Sequence, residues 1–388
     1  MDLTPLFISD FKVMQDRKKR TPAILLIILL SLFVLHFTQY QFTWIKLKPL
    51  EGYYIDANKV DFTWKDWFST TYQEKGDKYL NDHFGFRSFF IRLNHQWRFS
   101  LFNKVKTQWV TVGKENYLYE ENYIKAWYGA DFIGQDSIEQ RMYKLKYLQD
   151  TLDQLGKKII MVLAPGKGSF YPEYIPDNYY KEKSVTNIDI YRQYVEKWNI
   201  NCIDFDRYFI DNKEISPYPL YPQYGIHWSF YGMCLVSDSI VRYVEKMNDI
   251  IMPHIYWNEI KVSQPDKGDG DISKAMNLLF APRTFNMAYP RIQFESSEGK
   301  TTPSLLVIAD SFYWGIFNMG WSNLFKDDQF WYYNKEIYPA CFDSPLTTDD
   351  VNLKDEILKF DIIIIISTDA NLPNFGWGFI ENGYNVFF

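Results

Sequence analysis

The stretch Leu305-Leu306-Val307-Ile308-Ala309-Asp310-Ser311-Phe312 sets the frame for the whole chain. Five consecutive apolar residues with no polar alternation read as a short strand buried on both faces. The Asp-Ser that follows, running into a mixed aromatic segment, puts a serine at a strand-to-helix turn. There its oxygen stands above a sheet edge. Some way upstream, Gly225-Ile226-His227-Trp228-Ser229 offers a base for that serine. A hydroxyl is a weak nucleophile until a base takes its proton, so the two segments together point to acyl transfer through serine.

Working outward, helix and strand patterns alternate. The apolar stripe Ile138, Met142, Leu145, Leu148, Leu152 and Leu155 predicts a helix that starts at a Ser137-x-x-Gln140 capping box and stops at Gly156. Lys158 to Ala164 predicts a buried strand closed by Pro165-Gly166. A helix over Asn187–Trp198, a strand over Asn201–Phe205 and a helix from Trp228 to about Met247 follow. The run Asp361 to Ser367 is a further near-continuous apolar strand. Such strands need helices on both faces, which predicts a three-layer α/β domain with a mainly parallel sheet.

Open parallel sheets gather their sites at the carboxyl ends of strands. Those ends carry Pro165-Gly166-Lys167, Asp204 and Asp206, Asp310-Ser311, and Thr368-Asp369. Ser311 is the expected nucleophile and His227 the expected base, with Ser229 as N-cap of the following helix. Backbone N–H groups at Ser311 and just beyond would hold an oxyanion. Asp310 is read as a brace for the turn. An acid that orients the histidine is sought among Asp204, Asp206 and Asp369, which sequence does not separate. Lys167 is read as a solvated loop lysine or, alternatively, as a contact to substrate or donor.

Composition narrows the class. The 388 residues, 47% hydrophobic, suffice for a large core. A formal charge of −6, with no basic stripe beyond the N-terminus, excludes a nucleic-acid surface. The 19% aromatic share suits a carbohydrate-facing protein, but codon bias toward Phe, Tyr, Ile, Asn and Lys produces the same excess. Cys202, Cys234 and Cys341 are odd in number and lack metal-type spacing, so neither a metal nor a cofactor is expected.

At the N-terminus, Arg17-Lys18-Lys19-Arg20 precedes an apolar run from Ala23 to Phe37. Thr38, Tyr40, Phe42 and Trp44 then continue in the manner of an interfacial belt. The strictly apolar part is about 15 residues, short of the roughly 20 that cross a bilayer, but counting to Trp44 makes a span. No small-x-small cleavage site follows, so an uncleaved anchor is expected, basic end inside. The expected organisation is a cytoplasmic tail over 1–20, an anchor over 21–44, a connector with an aromatic-rich docking helix over 45–105, and the α/β domain over 106–388. In the docking helix, Phe90, Leu93, Trp97 and Leu101 fall on one face and are expected to pack on the core, with the arginines solvated.

Four further segments occur in a fixed order: Gly113-Lys114-Glu115-Asn116-Tyr117-Leu118-Tyr119, Ala164-Pro165-Gly166-Lys167, His227-Trp228-Ser229 with Gly232, and Ala309-Asp310-Ser311-Phe312. With Phe84-Gly85-Phe86-Arg87-Ser88 upstream, this order resembles the alginate O-acetyltransferase family of AlgJ/AlgX type, over roughly residues 75 to 388. The resemblance implies an SGNH-hydrolase-like domain in permuted order, with the histidine before the serine. It implies a membrane-anchored or periplasmic protein that O-acetylates an exported or cell-envelope polysaccharide through a Ser-His-Asp triad. A membrane-bound O-acyltransferase would be the acetyl-donor partner. Ser311 and His227 match the family's nucleophile and base. The family's aspartate two residues before the histidine is replaced by Gly225, and Ala309 stands where glycine is frequent. The alternatives are a carbohydrate esterase, or a non-catalytic polysaccharide-binding or assembly component with a degenerate site.

Overall fold

The computed structural model describes the backbone of residues 4–52, 56–107 and 109–388, and side chains from residue 22 onward within those ranges. Of the expected cytoplasmic tail, residues 1–3 and the side chains of the basic cluster 17–20 lie outside the described residues. The chain divides into two compact units, Met1–Phe102 with Ala275–Phe280, and Asn103–Lys274 with Ala281–Phe388.

The first unit is helical: α1 (Thr4–Phe42), α2 (Trp64–Phe68), α3 (Thr71–His83) and α4 (Arg87–Phe102). Within α1, Pro22–Phe42 is long and apolar enough to cross a membrane, with mean hydropathy 2.1 and only 6% of the window buried. The helix starts upstream of that window, at Thr4, so the segments expected as tail and anchor share one continuous helix. The expectation for α4 is overturned. Phe90, Leu93, Trp97 and Leu101 are exposed, at 47%, 40%, 63% and 58%. The opposite face is the one held by its unit. Arg92 is buried and donates to the carbonyls of Pro49 and Leu278, and a ring nitrogen of His95 is bonded to that of Met276. Gln96 accepts from the Phe280 N–H. Periodicity reveals that a helix has an apolar face, but not what covers that face.

The second unit is the α/β domain. Its strands are β1 (Val110–Val112), β2 (Leu118–Glu120), β3 (Lys158–Ala164), β4 (Cys202–Asp204), β5 (Ile255–Ser263), β6 (Met287–Phe294), β7 (Leu305–Ala309), β8 (Asp328–Tyr332), β9 (Glu336–Tyr338) and β10 (Ile362–Thr368). Six of them form one sheet in the order β4-β3-β10-β7-β8-β9, parallel throughout except for the edge strand β9. The short antiparallel ladders β1–β2 and β5–β6 stand apart from it.

Its helices are α5 (Glu121–Tyr128), α6 (Gln135–Gln154), α7 (Lys167–Phe170), α8 (Asn187–Trp198), α9 (Phe205–Asn212), α10 (Phe230–Asn248), α11 (starting at Asp271), α12 (Tyr313–Asn318), α13 (Leu353–Lys359) and α14 (Phe379–Phe387). Every residue of β7 and β10 is buried, which explains their unbroken apolar composition. On one sheet face Ile159, Met161, Leu306, Ile308, Ile363 and Ile365 pack against the apolar stripes of α6, α8 and α14. Burying each such side chain contributes about 1.5–3 kcal/mol. The start of α6 departs from expectation: it begins at Gln135 after Gly134, and no side chain caps it. By contrast, α8 opens on a complete capping box between Thr186 and Asp189. This is an α/β fold with a mostly parallel central sheet, as expected.

Candidate active site

Strand β7 delivers Asp310 and Ser311 to the carboxyl edge of the sheet, where the chain turns into α12. The Asp310 carboxylate fixes that turn. It accepts from the Phe312 N–H at 3.0 Å and, across the sheet, from the Thr368 N–H and hydroxyl and the Asn371 amide at the end of β10. Four donors on one buried carboxylate leave the turn little freedom, so the Ser311 oxygen has a fixed position.

His227 arrives from the turn before α10. That turn is tied down by Ser229, whose hydroxyl donates to the Pro219 carbonyl and accepts from the Gly232 N–H as N-cap. From below, the buried Lys167 ammonium donates to the carbonyls of Gln223 (2.8 Å) and Gly225 (2.5 Å). His227 Nε2 then stands 2.9 Å from Ser311 Oγ, and the ring packs at 4.7 Å on that of Phe312.

The other ring nitrogen meets an aspartate that sequence reasoning did not single out. His227 Nδ1 lies 2.5 Å from Asp271 Oδ2. The second oxygen, Asp271 Oδ1, accepts from the N–H groups of Ile226 (2.9 Å) and Ile272 (2.7 Å). Burial alone would raise the Asp271 pKa, but the facing His227 and these two N–H donors hold it below the usual carboxylate value. An ionised carboxylate only accepts, so Nδ1 carries the ring proton and Nε2 is left to accept from Ser311. Burial also works against a charged His227; the charge and hydrogen bond of Asp271 outweigh it, and the pKa lies above the ordinary histidine value.

The expected orienting acids are corrected. Asp204 and Asp206 are both bound by Arg192, at 2.7–2.9 Å, and Asp204 also caps α9. Asp369 accepts from the Ser169 hydroxyl at 2.6 Å, and burial beside Asp206 pushes its pKa up to about 8. All three lie at strand ends as read, but the strands concerned, β4 and β10, deliver them away from His227. Lys167 is neither a substrate contact nor a solvated lysine. It is fully buried, which pulls its pKa down to about 7 against the attraction of Asp271 and Glu120, and it holds the loop that carries the histidine. Lys167→Met, which keeps the stem and removes the donor, is expected to cost about 1–3 kcal/mol of stability in denaturant unfolding and to lower turnover with it. The expected oxyanion donors are narrowed as well. The Phe312 N–H is spent on Asp310, and those of Tyr313 and Trp314 on the carbonyls of Asp310 and Ser311.

Two residues near the triad had no sequence signal beyond their position. Tyr333, just past β8, donates its N–H to the Ala309 carbonyl; burial raises the pKa of its phenol, and the nearby Ser311 side chain acts against that rise. Glu120, at the end of β2, has a pKa raised by burial, and Asp271 adds to that rise against the charges of His227 and Lys167.

His227, Asp271 and Ser311 open onto a cavity of about 770 Å³. Its wall is largely aromatic and apolar, from Trp228, Phe230, Met233, Phe312, Trp314 and Ile292. Lys267 sits at 3.4 Å over the Phe230 ring, and Asp269 beside it is pushed up to about 7, chiefly by burial. The space is far larger than an acetyl group and has room for sugar rings.

Residues 110–299 match the family model described as the SGNH hydrolase-like domain of acetyltransferase AlgX. The matched range takes in His227 and Asp271 and ends before Ser311. No curated protein matches the chain. Among solved structures, the O-acetyltransferase domain of Pseudomonas putida AlgJ is 14% identical with a TM-score of 0.46, covering 71% of this chain and 99% of that one. Pseudomonas aeruginosa AlgX is 14% identical with a TM-score of 0.42, covering 70% and 67%. Bacillus cereus PatB1, solved with a sulfonyl adduct, is 15% identical with a TM-score of 0.45, covering 70% and 99%. Through residues 110–299 the chain is similar to the SGNH hydrolase-like domain of the acetyltransferase AlgX.

Proposed function

We propose that the protein transfers acetyl groups to hydroxyls of an exported or cell-envelope polysaccharide, through an acyl-serine on Ser311. The observation that supports this most is the chain of contacts Asp271–His227–Ser311, with both ring nitrogens of the histidine engaged. His227 Nε2 takes the Ser311 proton as Oγ attacks the acyl carbonyl, and the leaving group departs with that proton. An acceptor hydroxyl then gives its own proton to His227 as its oxygen attacks the acyl-serine. The Ser311 oxygen leaves and recovers the proton, so each half-reaction restores the base. The Ser311 N–H and the Tyr333 hydroxyl are the donors offered to the oxyanion. The aromatic wall of the cavity suits the C–H faces of sugar rings.

The span Pro22–Phe42 is read as an anchor with the basic cluster inside, placing the site outside the cytoplasm. A membrane-bound O-acyltransferase is the fitting donor partner for a site so placed. Gly225 alone would favour a degenerate, merely binding site, but Asp271 supplies the acid that Gly225 lacks. Water in place of the sugar hydroxyl would make the same site an esterase.

The full-length protein in detergent, given p-nitrophenyl acetate with neutral or uronic-acid oligosaccharides, is expected to yield O-acetylated oligosaccharide by mass spectrometry. Free acetate alone would select the esterase, and no release of nitrophenol with any acceptor would contradict the enzymatic reading. Turnover is expected to rise with pH as His227 loses its proton, with a midpoint above the ordinary histidine value because Asp271 raises it. A pH–rate profile of p-nitrophenyl acetate hydrolysis reads that midpoint.

A further inference from the structure

Helix α4 is built inside out for a helix in water. The face held by its unit carries Arg92, bound to two carbonyls, His95, bound to one, and Gln96, bound to the Phe280 N–H, with Phe99 the one apolar side chain buried beside them. Its apolar face is bare. Phe90, Leu93, Trp97 and Leu101 are spaced three and four residues apart, so they share one stripe, and all four are at least 40% exposed. A contiguous exposed stripe of this kind marks a contact surface.

The neighbour of that stripe indicates what it contacts. Just before α4, the Gly85 backbone lies so close to α1 that a Cβ there would sit 2.2 Å from the His36 carbonyl oxygen. The His36 ring stacks on Phe84 at 4.4 Å and on Phe90 at 5.5 Å, with Phe86 edge-on at 5.6 Å. His36 and Gln39 are the buried positions of the span among its described residues, and the apolar residues on the rest of its surface are exposed. At 1.5 Å per residue, His36 lies about 9 Å inside the Phe42 end of the span. That depth falls within the apolar slab that the span would cross. Phe84, Phe86 and Phe90 are therefore held at acyl-chain depth, and the stripe of α4 continues from them.

We propose that α4 is an interfacial helix seated in the bilayer leaflet at the Phe42 end of the span, with Phe90, Leu93, Trp97 and Leu101 facing lipid acyl chains. This rests on reading Pro22–Phe42 as a membrane span. The arrangement has the features of a monotopic element: one apolar face for lipid and an opposite polar face, here satisfied by the protein's own backbone. It supplies a second membrane attachment besides α1.

The test uses the native full-length chain reconstituted in phosphatidylcholine–phosphatidylglycerol vesicles carrying a diazirine in the acyl chain. After illumination, labelled residues are mapped by peptide mass spectrometry. The expected result is labelling of Phe90, Leu93, Trp97 and Leu101 in the same range as Ile24–Leu35 of the span, with Arg92, His95 and Gln96 several-fold lower. Labelling of the span with none on the stripe would overturn the proposal while leaving the anchor intact, and would mean that protein or water covers α4. Absence of label from the span would overturn the anchor itself. The variant Leu93→Glu/Trp97→Glu is expected to lose label at Phe90 and Leu101 and keep it in the span; unchanged labelling at both positions would contradict the lipid contact.

Discussion

Replacing Ser311 by alanine is expected to lower p-nitrophenyl acetate turnover by on the order of 10⁴- to 10⁶-fold, down to whatever the rest of the site achieves without a nucleophile. The substitution removes one hydroxyl, which is hydrogen-bonded to His227 Nε2. The turn itself does not depend on that oxygen, since Asp310 and its four donors hold it. Folding is thus expected to be unchanged, which circular dichroism and the melting temperature would check. Loss of activity without loss of structure separates a nucleophile from a structural serine. Turnover retained within a few-fold would remove Ser311 from the chemistry.

The second large effect is expected at Asp271. Asp271→Asn keeps the shape and replaces a pure acceptor with a group that also donates. The amide can then donate to Nδ1, which moves the ring proton to Nε2 and leaves nothing to accept from Ser311. A loss of about 10³- to 10⁴-fold in kcat is expected, as for the wrong tautomer in other triads. The pH–rate midpoint should move down, because the charge that raises the His227 pKa is gone and burial then acts unopposed by it. Asp204→Asn serves as the contrast. It removes the charge paired with Arg192 while its amide oxygen can still cap α9, so it is expected to reduce stability and leave the midpoint in place. A downward shift in Asp204→Asn, or none in Asp271→Asn, would contradict the assignment of the acid.

The difference between the acids read from the sequence and the acid found has a local cause. Strands β3, β7 and β10, the helix α8 and the pairing of Ser311 with His227 were all legible, because unbroken apolar runs and cap residues encode them directly. The rule that strand ends carry the site pointed to Asp204, Asp206 and Asp369, and each does lie at a strand end. Asp271 instead opens α11, just past the loop Lys267-Gly268-Asp269-Gly270, 44 residues after the histidine and on no strand. Alternating glycine and aspartate is ordinary turn composition and carries no catalytic signal of its own. Gly225 was the better clue. A Cβ there would lie 2.8 Å from Pro222 Cγ and 3.0 Å from the Asp269 carbonyl oxygen. The loop that brings Asp271 occupies the space that a side chain at 225 would need, and Ile226, the next residue, donates its N–H to Asp271. An acid two residues before the histidine and an acid from this loop are thus alternatives in space.

The face of α4 was misread for a different reason. An apolar stripe was equated with a buried stripe, which holds only where the surroundings are water. On the proposed reading of Pro22–Phe42 as a membrane span the rule inverts beside it, and Arg92 in the protein with Trp97 outside is the arrangement that reading predicts.

The central claim, an acyl-enzyme on Ser311, is tested most directly by intact-mass and peptide mass spectrometry of the full-length protein quenched in acid during turnover of p-nitrophenyl acetate. One acetyl group on the peptide containing Ser311, absent from Ser311→Ala, is the predicted result. Turnover without any acetyl on that peptide, or the same adduct on Ser311→Ala, would contradict it.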